Sequence, residues 1–229
     1  MARRNHSRSR TPGPAGVLYL MKDWTVSTVG KGKPMDKAEC IALAVHLGDD
    51  GAVERLVRAY QDELYGYALR LLCNPFDAEE VTQDAFIRAC RTLTASYGPD
   101  RCRQLEMRPW LFRITRNLAL NRMRDRRSAG EGRFSTADVP AVLDIARDEG
   151  ASRPFESLAD QDALSQALEK LEVESRDLVV LRFFEGLSYA EISKTTGGSE
   201  AAARAKVFRA LRRLRALLSE GGLTCAVKQ

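Results

Sequence analysis

Histidine is almost missing from this chain of 229 residues, where only His6 and His46 occur. Imidazole chemistry, whether zinc ligation or proton transfer beside a nucleophile, has little to draw on. Cysteine is sparse and unpatterned: Cys40, Cys73, Cys90, Cys102 and Cys225 are an odd number with no C-x-x-C pair, which argues against a thiolate zinc site and a secreted disulfide framework. Buried thiols in a reducing cytoplasm are expected instead. The basic N-terminal stretch offers only Val17 to Met21 as an apolar run, too short for a signal-peptide core or a membrane span, so a cytoplasmic protein is expected. No segment alternates with a period of two, no repeat occurs, and Gly30-Lys31-Gly32-Lys33 lacks the spacing of a phosphate loop. With no nucleophile–base–orienter set either, no enzyme activity, cofactor, metal or small-molecule substrate is expected.

What remains is a soluble, helix-forming chain, 44% hydrophobic and 29% charged, long enough for one or two domains. The net charge of +5 is mild; its distribution is not. Near the C-terminus, Ser188 and Glu191 form a capping box that opens a short helix, Gly197-Gly198 supplies a tight turn, and Ser199 caps a second helix. That is a helix-turn-helix. In the second helix Ala203, Val207, Ala210, Leu214 and Leu217 recur at spacings of three and four, while Arg204, Lys206, Arg209, Arg212, Arg213 and Arg215 carry +6 with no acid among them. Such a face is unfavourable unless anions neutralise it, and the phosphates of a DNA groove do.

Residues 1–35, rich in Arg, Ser, Gly, Pro and Lys, read as a disordered basic arm with no assigned role. Residues 36–127 read as one helical domain. Asp36 and Glu39 box a helix ending at Gly48, a second runs from about Gly51 to Cys73 on the stripe Leu56, Tyr60, Leu64, Tyr67 and Leu71, and Asp77 and Glu80 box a third over roughly 78–93. On the third, Asp77, Glu80, Gln83 and Asp84 share a face that is either a solvated stripe or a docking surface. Tyr97 to Met107 reads as a loop. Pro109 suits the first turn of a helix continuing to Arg127, with Leu111, Ile114, Leu118 and Met123 inward. Between Arg101 and Arg127 stand nine arginines against Glu106 and Asp125, a balance of +7 and a second anion-binding surface. Trp110 is expected in the core rather than as a stacking platform.

Residues 128–160 change character: seven acids against three arginines, with scattered Gly, Pro and Ser, read as an acidic flexible linker that could lie across the basic surfaces. Residues 161–219 read as a four-helix domain, with Leu164, Leu168 and Leu171 on its first helix and Ser175 capping its second, and 220–229 as a tail. The fold class is all-α: two small helical domains on a tether.

The blocks DAEEVTQDAFIRACRTL, RPWLFRITRNLALNRMRDRR, LSYAEISKTTGG and ARAKVFRALRRL, in that order, resemble the sigma-70 family of bacterial RNA polymerase sigma factors, in particular the extracytoplasmic-function (ECF) group. The resemblance implies a transcription initiation subunit. Its first domain would dock on core RNA polymerase through Asp77, Glu80, Gln83 and Asp84, capture an unstacked base at the loop 97–107, and hold the melted minus-ten element through Arg113, Arg116, Asn117, Asn121 and Arg124. Its second domain would read the double-stranded minus-thirty-five element through Ser199, Arg204, Lys206, Phe208, Arg209 and Arg212. An anti-sigma partner is implied as well. Thr195 and Thr196 stand where the family usually has apolar residues, Gly198 replaces an aliphatic, and Ala201 to Ala203 lack the usual Gly-Thr-Val, which implies looser helix-turn-helix packing and an atypical promoter. Two rivals remain: a sigma-like mimic that only binds an anti-sigma factor, and an unrelated helix-turn-helix transcription regulator. The first leaves the minus-ten arginines without purpose, and the second leaves the first domain idle.

Overall fold

In the computed structural model, which describes residues 40–128, 164 and 166–220, the described elements are all helical and no strand occurs among them. The basic arm, the Asp36–Glu39 box, the acidic linker, the Gln161 helix start, the tail after Glu220 and Cys225 lie outside the described residues. The first domain holds α1 (Ile41–Leu47), α2 (Ala52–Leu72), α3 (Pro75–Ala95), α4 (Pro99–Gln104) and α5 (Met107–Ser128). In the second, a helical stretch at 166–170 precedes α6 (Val173–Val179), a π-helical turn (Val180–Phe184), α7 (Tyr189–Thr196) and α8 (Glu200–Glu220).

Helix boundaries follow local chemistry, with three departures from the sequence reading. Asn74 starts α3, earlier than the Asp77–Glu80 box would: its side-chain oxygen accepts from the amides of Phe76 and Asp77, and Pro75 sits at the first helical position, where no N–H is missed. The Asp77 carboxylate is thereby free for other partners. The loop 97–107 contains α4, a six-residue helix that Pro99 opens and that the fully buried Cys102 anchors to the core. Lastly, α6 begins at Val173 with Glu172 before it, so Ser175 lies inside the helix instead of capping it.

Core packing explains why α5 is more deeply buried than its predicted stripe. Leu111 is buried as expected, but Phe112, Thr115 and Ala119 are buried too, whereas Ile114, Leu118 and Met123 are only partly covered. Phe112 meets Tyr67 of α2 edge to face at a centroid distance of 5.4 Å, and its burial contributes about 1.5–3 kcal/mol. On its other side α5 meets α7. Leu178, Val180, Leu181, Leu187, Ile192, Ala203 and Val207 of the second domain join the same apolar cluster as α1 to α5. The two domains are therefore packed face to face. The second domain also has a core of its own, in which Leu164, Leu168 and Leu171 meet Ala210, Leu214 and Leu218.

Candidate nucleic-acid interface

The capping box of α7 is complete: the Ser188 hydroxyl accepts from the Glu191 amide at 3.2 Å while the Glu191 carboxylate accepts from the Ser188 amide at 2.8 Å. Burial works against the Glu191 charge, yet these bonds from Ser188, with Arg108 and Lys194 nearby, hold its carboxyl below the usual range. Gly197 and Gly198 take φ of 83° and 107°, which side chains rarely adopt, and the Ser199 hydroxyl accepts from the Ala202 amide. The tight turn aims α8 outward. Ala203, Val207, Ala210, Leu214 and Leu218 face in, while Ser199, Arg204, Lys206, Phe208, Arg209, Arg212, Arg213 and Arg215 are all exposed.

On that face the Arg204 guanidinium lies over Tyr189 at 5.0 Å and pairs with Glu200 at 3.3 Å, an arrangement that holds it near the N-terminal end of α8. Phe208 is 62% exposed. Exposed cations and an exposed aromatic on one side of a helix opened by a tight turn match what a major groove accepts: phosphate, base edge and thymine methyl.

On α5, Arg113, Asn117, Asn121 and Arg124 line one exposed face, with Arg124 donating to the Asn121 amide oxygen at 2.8 Å. Arg116 points elsewhere: its Nε donates to Asp177 of α6 at 2.6 Å. Beside the start of α5, Arg101 stacks over Tyr97 at 3.9 Å and Tyr97 meets Trp110 at 5.8 Å, while Trp110 itself is partly buried against the core.

The four residues of the acidic stripe are in different situations. Asp77 is only 8% exposed and is gripped by Arg122 and Arg126 from the end of α5. Glu80 is exposed and shares Arg122, Gln83 donates to Glu79 at 3.1 Å, and Asp84 lines an open groove of about 440 Å³ with Ile87, Arg88, Arg91 and Leu118. Phe76, 81% exposed, stands at the head of the same helix. Sequence reasoning missed Arg122 and Arg126, although their spacing on α5 marks them as one face. Arg108 was missed too. It donates to Glu63 at 2.8 Å and to the Glu185 carbonyl, lies 3.7 Å from Glu191, and covers the Phe112 ring at 5.5 Å.

Among the described residues no group of His, Cys, Asp and Glu could hold a metal ion, and no helix is long and apolar enough to cross a membrane. Fold and surface together define a two-module helical protein, one module presenting a helix-turn-helix with a cationic face and the other an arginine- and asparagine-faced helix. Comparison with known proteins specifies which kind.

The family models for Sigma-70 region 2 and Sigma-70 region 4 match residues 56–129 and 161–214. The chain is 34% identical over 193 residues to the ECF RNA polymerase sigma factor SigE of Mycolicibacterium smegmatis, covering 82% of this chain and 71% of that protein. It is 32% identical to SigL of Mycobacterium tuberculosis, covering 77% of this chain and 97% of that one. Among solved structures, CnrH in complex with the cytosolic domain of CnrY matches with a TM-score of 0.59 and 25% identity, over 81% of this chain and 99% of that chain. RpoE in complex with the anti-sigma factor NepR from Bartonella quintana shares the fold at a TM-score of 0.52 and 24% identity, over 74% of this chain and 98% of that one. The chain belongs to the ECF RNA polymerase sigma factors, subunits that direct transcription initiation.

Proposed function

We propose that this sigma factor divides promoter recognition between its exposed faces. The α8 face carrying Ser199, Arg204, Lys206, Phe208, Arg209 and Arg212 reads the double-stranded minus-thirty-five element, Arg204 against a guanine and Arg212 against phosphate. The α5 face carrying Arg113, Asn117, Asn121 and Arg124, completed by Arg116, holds the non-template strand of the minus-ten element once it is melted. Glu80, Gln83 and Asp84 on α3 meet core RNA polymerase, with Phe76 beside them, whereas Asp77 shapes that surface from below through Arg122 and Arg126. Residues 36–127 and 161–219 are the two working units, acting in the cytoplasm without catalysis of their own, and an anti-sigma factor restrains them.

The observation that carries this reading is the exposed row Arg113, Asn117, Asn121 and Arg124, because amides and guanidinium groups facing solvent on a helix suit splayed bases and backbone rather than protein packing. Binding of the holoenzyme to fork-junction DNA tests it. Asn117→Ala and Asn121→Ala are expected to weaken binding to a fork with single-stranded minus-ten bases while leaving duplex minus-thirty-five binding unchanged. Equal losses on both probes would refute the division.

A further inference from the structure

One acid stands on the cationic face of α8. Apart from Glu220 at the far end, Glu200 is the only carboxylate of that helix, and it lies in the first turn, ahead of Arg204, Lys206, Arg209, Arg212, Arg213 and Arg215. Repulsion from phosphates makes an acid there unfavourable on approach to DNA unless it meets a donor. Helix capping does not account for it, because the Ser199 hydroxyl already accepts from the Ala202 amide. A first-turn carboxylate does gain from the helix dipole, but that gain is blind to DNA sequence, so the two roles have different readouts.

Glu200 is also built into the group that faces the groove. Glu200, Arg204 and Phe208 follow one another at intervals of four and form one exposed row. Oε1 of Glu200 accepts from Arg204 Nη2 at 3.3 Å, and the Arg204 guanidinium rests over the Tyr189 ring at 5.0 Å. Arg182, which donates to the Leu187 carbonyl at 2.9 Å, lies over the same ring at 4.8 Å. Held by a ring and a carboxylate together, Arg204 has less rotamer freedom to lose when it meets a base. Glu200 keeps its second oxygen: the side chain is 52% exposed, and Oε2 has no protein donor among the described residues. Ala201, Ala202 and Ala205 around it are exposed and small, which lets the first turn come close to base edges.

The donors that a major groove offers to a carboxylate are the exocyclic amino groups of cytosine and adenine. Adenine sets its N7 acceptor beside that donor, which repels a second acceptor, whereas cytosine presents N4 alone. We infer that Glu200 is a specificity-determining residue of the minus-thirty-five contact: Oε2 accepts from the amino group of a cytosine while Oε1 holds Arg204 on the guanine of a neighbouring base pair. The inference rests on the reading of α8 as the minus-thirty-five face and adds a second base to it.

Core RNA polymerase loaded with the full chain tests this by selection from a DNA library randomised across the upstream element and fixed downstream to a sequence from which the wild-type holoenzyme initiates. The bound pool is sequenced for each variant. The wild-type pool is expected to carry a guanine with a cytosine at an adjacent pair, on either strand. Glu200→Gln is expected to exchange that cytosine for adenine and keep the guanine, because an amide supplies the acceptor and donor that N6 and N7 require. Glu200→Ala, with native helicity by circular dichroism, is expected to lose about fivefold or more of the cytosine preference. A Glu200→Gln pool with the wild-type base at every position, or a wild-type pool with no cytosine beside the guanine, would overturn the role of Glu200. Arg204→Ala separates the two readings. If its pool loses the guanine while Glu200→Gln changes nothing, only the role of Glu200 falls; if its pool equals that of the wild type, the assignment of the minus-thirty-five element to α8 falls as well.

Discussion

Glu185→Gln is a substitution whose sign runs against intuition, because it removes an ion pair and is expected to stabilise the protein at alkaline pH. Burial pushes the Glu185 carboxyl up from an ordinary 4.5 to about 7, with the Glu63 carboxylate adding to the rise, while Arg70 and Arg108 pull it down without prevailing. Burial likewise lowers the pKa of Arg70. Burial thus works against the charged form of both partners, but only the carboxyl titrates near neutral pH, and Arg70 stays a cation. A carboxyl whose pKa is raised on folding binds a proton in the folded state before it does so unfolded. Its stabilising contribution is complete below about 4.5 and is lost as pH rises to about 7. The gap between 4.5 and about 7 corresponds to roughly 3 kcal/mol, an upper bound for an interface that can relax. Urea denaturation between pH 5 and pH 8 measures it. The wild-type protein is expected to lose stability across that window relative to Glu185→Gln, and the variant to be the more stable at pH 8. A variant that is less stable at pH 8, or whose difference from wild type is independent of pH, would refute the reasoning.

Other outcomes follow from the same geometry. Arg204→Ala is expected to cost about 1–3 kcal/mol at one base pair of the minus-thirty-five element, whereas Arg212→Ala weakens all sequences alike and lowers the salt dependence; binding to a panel of single-base variants distinguishes them. Phe112→Ala removes a fully buried ring packed edge to face on Tyr67 and is expected to destabilise by about 3–5 kcal/mol in chemical denaturation. Arg126→Ala leaves the buried Asp77 with Arg122 alone, so it is expected to weaken core polymerase binding more than Arg127→Ala, the exposed neighbour, in a competition assay.

The helix-turn-helix was legible residue by residue, because capping boxes and glycine turns act within a few positions and nothing distant overrides them. Ser188, Glu191, Gly197, Gly198 and Ser199 do what their chemistry requires. The start of α3 was misplaced by the same logic applied to the wrong pair: Asp77 and Glu80 have capping-box spacing, but Asn74 with Pro75 is the stronger local signal and claims the helix start. What periodicity could not reveal was the second partner of α5. A stripe calculated for one neighbour omits Phe112 and Thr115, which are buried because α5 is covered from two sides.

Nor could the sequence say which acids answer which arginines. The acidic linker was the obvious counterion, yet the described carboxylates set against Arg116, Arg70 and Arg108 include Asp177, Glu185 and Glu191, all from the second domain. Thr195 shows the same limit from the other direction. Its hydroxyl implied a looser helix-turn-helix, but Ile192, Ala203 and Val207 beside it are buried, and the hydroxyl serves the Glu191 and Pro109 carbonyls.

Reconstituted transcription is the most direct test of the central claim. Core RNA polymerase supplemented with the purified chain, on a library of genomic fragments, is expected to begin transcripts at a discrete set of positions that share two upstream elements, a selectivity absent from core polymerase alone. Transcripts that start as randomly with the chain as without it would contradict the account.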